Sequence, residues 1–261
     1  MMVMVMVMVR RRRKRSPRQA SLNFDAGRHG GRREGAGRPK GPKPKLWHRS
    51  RDAFAAAHPL HVTVPVRWDV PSLRSHKIVR AVEAAFRRGC SRKGFRLVHY
   101  SLQDDHAHLL VEANGVEALG RGMKSICSKL AYAVNRALRR GRSGKVIADR
   151  YHHEVLTCPR QVRNALAYVL LNARRHAAKR IARLRKQGKP AKPLGPARLL
   201  DAASSGRWFD GWREGARVDR SPPRLLRAAP AVALPRTWLL RVGWRRHPLI
   251  DPSEIPALAR G

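Results

Sequence analysis

From Leu60 onward, apolar residues recur with two alternating periods. His61-Val62-Thr63-Val64-Pro65-Val66 alternates β-branched and polar side chains, the two-residue period of a strand, and Pro65 places that strand at an edge or bulge or ends it early. Over Ser75 to Cys90 the apolar residues Ile78, Val79, Val82, Ala85 and Phe86 fall at helical spacing, and Gly89 and Gly94 stop the run. Phe95 to Leu102 predicts a second strand and Ala107 to Glu112 a third. With Asp104-Asp105 at the turn between them, these two form an antiparallel hairpin. Val116 to Arg139 predicts a long helix with Leu119, Met123, Ile126, Leu130, Ala133 and Val134 on one stripe, closed by Gly141 to Gly144. Lys145 to Leu156 reads as a more polar strand. Thr157-Cys158-Pro159 then carries helix start signals, with Val162, Leu166, Val169 and Ala173 supplying the apolar face.

The order strand, helix, strand, strand, helix, strand, helix is the split βαβ order of ferredoxin-like domains. The expected architecture is α+β: an antiparallel sheet with helices packed on it and an added C-terminal helix. Three segments follow. Residues 1–59, dominated by Arg, Lys, Gly and Pro after a monotonous Met/Val start, read as a disordered basic arm that cannot bury enough apolar surface to offset chain entropy. Residues 60–186 form the domain, and 187–261 a basic, Pro-containing extension. The Trp208-Phe209 pair, Trp212, Trp238 and Trp244 of that extension either pack onto the domain or stack with bases, and the sequence leaves both open.

Charge narrows the partner. The 261 residues carry 57 Lys+Arg against 17 Asp+Glu, a formal +40. The excess is shared almost equally by residues 1–60, 61–176 and 177–261, so no single tail explains it. A chain this basic points to nucleic acid bound through phosphates. The apolar start, Met1 to Val9, is far shorter than the roughly 20 residues of a spanning helix, and the charged block Arg10 to Arg15 follows it where a signal peptide would have one precede it. Cys90, Cys127 and Cys158 stand far apart, arguing for a reducing compartment and against disulfides or a structural zinc site. The expected setting is cytoplasmic.

The sharpest chemistry is His106-Ala107-His108. On a strand, both imidazoles face one side while Ala107 and Leu109 face the other, so two nitrogen ligands stand side by side for a divalent metal. Tyr168 and Asn172, four residues apart, share one face of the last helix, with Asn164 a turn before and His176 a turn after. A phenol beside a carboxamide makes sense if the amide oxygen completes the metal site and the phenol attacks a phosphorus. Tyr151, flanked by His152 and His153, is a weaker rival because it lacks an amide at i+4. Glu112 and Glu154 are candidate hydrogen-bond partners of the two histidines that no spacing requires. Arg139, Arg140, Arg142, Arg174 and Arg175 contact phosphates or are solvated. Cys127 and Cys158 read as small buried thiols.

His106-Ala107-His108-Leu109-Leu110-Val111, preceded by Asp104-Asp105 and followed by Tyr168-Val169-Leu170-Leu171-Asn172, resembles the single-tyrosine HUH transposases, in particular the REP-associated tyrosine transposases. The likeness extends over roughly residues 60 to 178. It implies that His106, His108 and Asn172 bind Mg²⁺ or Mn²⁺ and that Tyr168 attacks single-stranded or hairpin DNA, leaving a 5′-phosphotyrosine and a free 3′-OH. Ala173 stands where these relatives commonly carry Pro, which should extend the helix. Whether the enzyme acts as monomer or homodimer stays open. The alternative is a non-catalytic nucleic-acid-binding protein, domesticated or built like an RNA-recognition domain. Such a domain would place aromatics on its central strands, where this chain has only Phe95 and Tyr100, at opposite parity.

Overall fold

The computed structural model describes residues 51–139, 144–197, 200–213 and 229–256. The basic arm therefore lies almost wholly outside the described residues, as do the Met/Val start, Arg140 and Arg142. Strand β1 spans Leu60–Pro65, helix α1 His76–Arg87, β2 Ser91–Arg92, β3 Phe95–Leu102, β4 His106–Ala113, α2 Val116–Ala137, β5 His152–Val155, α3 Pro159–Leu170 and α4 Asn172–Lys186. A further short helix, α5, spans Trp238–Arg241, between 3-10 turns at Ser205–Trp208 and Gly243–Arg246. The sheet is antiparallel in the order β2-β3-β4-β1-β5, so the four main strands keep the ferredoxin-like order.

Both faces of the sheet are buried, because side chains alternate and each parity has its own core. Leu60, Val62, Val64, Ala107, Leu109 and Val111 point to the side covered by α1 and α2. There α2 lies so close to β3 that a Cβ on Gly122 would stand 2.1 Å from the Phe95 ring, leaving room only for glycine. Val98 and Leu110 point to the opposite side, covered by Val162, Leu166 and Val169 of α3. The outer side of α3 is closed in turn by Phe209, Trp212, Leu239, Leu240, Trp244 and Ile250. Trp212 and Trp244 are thus core residues, and the sheet face that an RNA-recognition platform would leave open is filled. Residues 51–59 also touch the domain: Arg51 stacks 3.9 Å over the Tyr151 ring.

Pro65 ends its strand, one of the outcomes the sequence allows, and two other elements depart from expectation. It lies opposite His106 of β4 as the last residue of β1. Lacking an N–H, it ends the ladder. The strand expected over Lys145 to Leu156 shrinks accordingly to His152–Val155, with a single bridge from Ile147 to Val66 and Asp149 turning back to cap the N–H of Arg150. The last helix is two helices: Leu171, at φ −110° and ψ 18°, closes α3 and opens α4. Leu170, Leu171 and Asn172 are all buried in succession, an arc too wide for one face of a straight helix. The effect expected of Ala173 is present beyond the kink, where α4 runs on to Lys186.

Candidate active site

β1 and β4 pair so that Thr63 lies opposite His108 and Pro65 opposite His106. On the α3 side of these strands stand His61, Thr63, His106 and His108, and the two β4 imidazoles meet with their Nε2 atoms 3.0 Å apart. The other nitrogen of each ring is already held. His106 Nδ1 lies 2.6 Å from the Asp105 carboxylate, and His108 Nδ1 lies 3.2 Å from both Thr63 Oγ1 and His61 Nε2. The two Nε2 atoms thus face each other across 3.0 Å, while each Nδ1 is held by a neighbour.

Burial keeps His108 and His61 uncharged. Desolvation, followed by the charges of His61, His106, His176 and Arg175, pushes His108 down to about 2. Desolvation and the neighbouring His152 and His106 take His61 to about 4. Asp105 is held below the ordinary carboxylate range, first by its hydrogen bond to His106. Outside β1 and β4, His176 of α4 is lowered by its own burial and by Arg175 and His106.

α3 delivers Tyr168 edge-on to these histidines: ring centroids lie 4.9 Å from His108 and 5.5 Å from His61. The buried Arg175 guanidinium stacks 4.9 Å from the Tyr168 ring centroid, setting a fixed positive charge beside the phenol. Asn172, just past the kink, is wholly buried, and neither its Oδ1 nor its Nδ2 has a hydrogen-bond partner. A buried amide left without partners is costly. The break at Leu171 means that Tyr168 and Asn172 belong to two helices, where the sequence reading has one continuous face. Asn164 is exposed on α3.

The structure brings His106, His108 and Tyr168 together as the spacing predicts, and adds residues the sequence reading does not single out. His61 and Thr63 hold His108 from the neighbouring strand, and Asp105 orients His106 from the turn. Their one signal is the alternation of β1, which puts both polar residues on the parity opposite its valines. Glu112 does not serve the histidines: its carboxylate takes Arg96 at 2.8 Å and three donors from Arg236 and Thr237. Glu154 is exposed. Arg174 is engaged with the carbonyls of Gly195 and Ser253, and Arg139 closes α2 with φ 55°. Tyr151 packs against the α1/α2 core on the other side of the sheet, its hydroxyl buried and raised in pKa by that burial. Burial likewise lifts the Cys127 thiol to about 11. Among the described residues no group of three or more His, Cys, Asp or Glu is arranged to hold a metal ion, and no helix is long and apolar enough to cross a membrane.

Residues 58–169 match the family described as "Transposase IS200 like". No curated protein matches the chain. Among solved structures, a REP-associated tyrosine transposase bound to a REP hairpin aligns with 50% of this chain and 74% of its own, at 13% identity and a TM-score of 0.38. A Deinococcus radiodurans protein assigned as a transposase aligns with 57% of this chain and 98% of its own, at 13% identity and a TM-score of 0.33.

Proposed function

We propose, from the premise that residues 58–169 belong to the IS200-like transposase family, that this chain cleaves and rejoins single-stranded or hairpin DNA through a covalent link to Tyr168. The observation that carries the reading is the pair of Nε2 atoms converging at 3.0 Å beside the Tyr168 ring. Two imidazole nitrogens this close together would both reach one divalent ion. The partnerless amide of Asn172 would offer a third, oxygen donor; two imidazoles do not by themselves select the metal, and Mg²⁺ or Mn²⁺ is the ion that the family resemblance implies. His106, His108 and Asn172 would hold such an ion, which would polarise a phosphate oxygen as a Lewis acid.

The chain's own residues supply the rest. Asp105, Thr63 and His61 hold each imidazole in one orientation. Arg175 balances phosphate charge beside the phenol, and α3 fixes the ring against His108. In the step itself, Tyr168 Oη forms a bond to phosphorus and the bond from phosphorus to the 3′ oxygen breaks. The phenolic proton leaves Oη, and the departing oxygen takes up a proton to become a 3′-OH. Because the phosphotyrosine keeps the energy of the phosphodiester, a second 3′-OH can reverse the step on a new strand without ATP. Arg139, Arg140, Arg142, Arg174 and Arg175 are proposed phosphate contacts, and the setting is the bacterial cytoplasm at the nucleoid.

The test is incubation of the full chain with end-labelled hairpin DNA carrying single-stranded flanks, in Mn²⁺, followed by denaturing electrophoresis. A labelled protein adduct and a free 3′-OH fragment are expected, with perfectly paired duplex cut far less well. Cleavage without any adduct, or equal rates on duplex, overturns the reading.

A further inference from the structure

On the far side of the sheet from Tyr168, the outward stripe of α2 runs through Arg121, Lys124, Ser128, Tyr132 and Arg136, with Arg139 just beyond the helix end. Beyond Arg121, which pairs with Glu117, none of these cations has an acidic partner among the described residues. Tyr132 is the one aromatic of the stripe and is 55% exposed, unusual for a ring of that size. It borders a surface cavity of about 530 Å³, lined also by Ser128, Asn135, Arg136, Arg139 and Gly144, with no carboxylate among the lining residues. Asn135 is 7% exposed. Its Nδ2 donates to the Gly144 carbonyl at 2.7 Å, and its Oδ1 has no donor. Arg139, a non-glycine residue at φ 55°, holds a backbone conformation that ordinary residues avoid, at the cavity's edge.

An open aromatic face with cations along and just beyond the same helix forms one chemical pattern. A nucleobase covers the ring, and its neighbouring phosphates meet guanidinium groups. At 1.5 Å per residue, Arg136 stands about 6 Å along the axis from Tyr132, and Arg139 lies just past the end of the helix, a line of cations suited to a strand following it. A free organic anion would use the arginines and leave the ring bare. We propose that this face of α2 is a second strand-binding site, in which an unpaired nucleotide of the DNA substrate stacks on Tyr132 with its phosphates on Arg136 and Arg139. The site rests on the reading that the substrate is single-stranded DNA, and it places the strand on both sides of the sheet.

The experiment measures binding alone, in full-length chain carrying Tyr168→Phe, so that cutting plays no part. Single-stranded DNA with 5-iododeoxyuridine at successive positions is photo-crosslinked and the adducted peptide is identified by mass spectrometry. A crosslink at Tyr132 is expected. Tyr132→Ala should weaken single-strand binding roughly five- to a hundredfold, and Tyr132→Phe should restore it, because stacking needs only the ring. Arg136→Gln with Arg139→Gln should lower the slope of log affinity against log salt by about 1.4, about 0.7 per phosphate. Unchanged affinity and slope in these variants, an equal loss on fully paired duplex, or competition by free deoxynucleotide as strong as by the strand would each overturn the proposal. A chain that binds strand at Tyr132 but forms no adduct in its wild-type form removes only the catalytic reading. One that binds no single strand removes both.

Discussion

Glu112→Gln tests how the C-terminal segment is joined to the domain. The Glu112 side chain is 1% exposed and pairs with Arg96 Nε at 2.8 Å. It also accepts the Arg236 N–H at 2.9 Å, the Thr237 N–H at 2.8 Å and the Thr237 hydroxyl at 2.8 Å. This one carboxylate on β4 therefore anchors the start of α5, whose Leu239 and Leu240 close the core behind α3. Glutamine keeps the shape but removes the charge and puts an NH₂ where all the partners are donors. Unpairing one member of a buried ion pair costs about 3–5 kcal/mol. Glu117, 87% exposed and paired with a 67% exposed Arg121, is the control, and its loss should cost no more than about 0.5 kcal/mol.

Urea unfolding at neutral pH, followed by far-UV circular dichroism and tryptophan fluorescence, measures the cost. Trp212 and Trp244 are both buried in the core that Glu112 helps to close, so fluorescence reports on the right region. The expected result for Glu112→Gln is a loss of about 3–5 kcal/mol, or a separate early fluorescence transition as the segment comes away while the sheet persists. A loss under about 1 kcal/mol, equal to that of Glu117→Gln, refutes the reasoning: Glu112 would then be a bystander and the segment held by its apolar residues alone.

Three further outcomes follow from the site. Tyr168→Phe, which deletes one oxygen from a half-buried ring, should abolish adduct and cleavage with under about 1 kcal/mol change in stability, while Tyr151→Phe should leave both reactions in place; denaturing gels and thermal melts check each. His108→Ala should remove divalent-ion dependence and cleavage while single-strand affinity in a filter-binding assay falls less than about threefold, because phosphate contacts lie elsewhere. His99, buried beside Ser205 and Phe209, is pushed by desolvation to about 4. Its folded value lies below its unfolded one, so the stability it permits is complete above pH 6.5 and is lost as pH falls through 4. The loss is worth about 3 kcal/mol. His99→Gln should flatten that acid limb in unfolding measured between pH 7 and 4, and an unchanged limb would place the acid sensitivity elsewhere.

What the sequence made legible was what local periodicity controls. β3, β4, α1 and α2 lie within a few residues of their expected bounds because their apolar stripes are long and their stops are glycines. The histidine pair was legible for the same reason: period-two geometry puts His106 and His108 on one face whatever the sheet does with it. The helpers were not legible, because Thr63 and His61 reach His108 only through the β1–β4 register, and register is a property of two strands. The kink at Leu171 has neither Pro nor Gly to announce it and arises where three successive residues are buried together. The second core was hidden by composition. Trp212, Trp244 and Ile250 are spread through an Arg- and Pro-rich stretch with no period, and they converge only because Glu112 and Arg163 dock that stretch, Arg163 by a two-pronged pair with Glu254.

That hidden core bears on the chemistry. In a chain of net charge +40, a solvated histidine beside Arg175 and His176 is repelled from protonation only weakly, and near its ordinary value of 6.5 it would lose its lone pair in part of the physiological range. His108 avoids this because α3 covers it, and burial is the largest cause of its fall to about 2. α3 stays in place because Leu166, Val169 and Leu170 are gripped from behind by Leu239, Leu240 and Trp244. The same packing fixes the Tyr168 ring 4.9 Å from His108. A single apolar contact surface, supplied by a segment 70 to 80 residues downstream of the tyrosine, thus keeps His108 uncharged and the phenol in register with it. The positive charges around the site disfavour its protonation further and are left to attract phosphate.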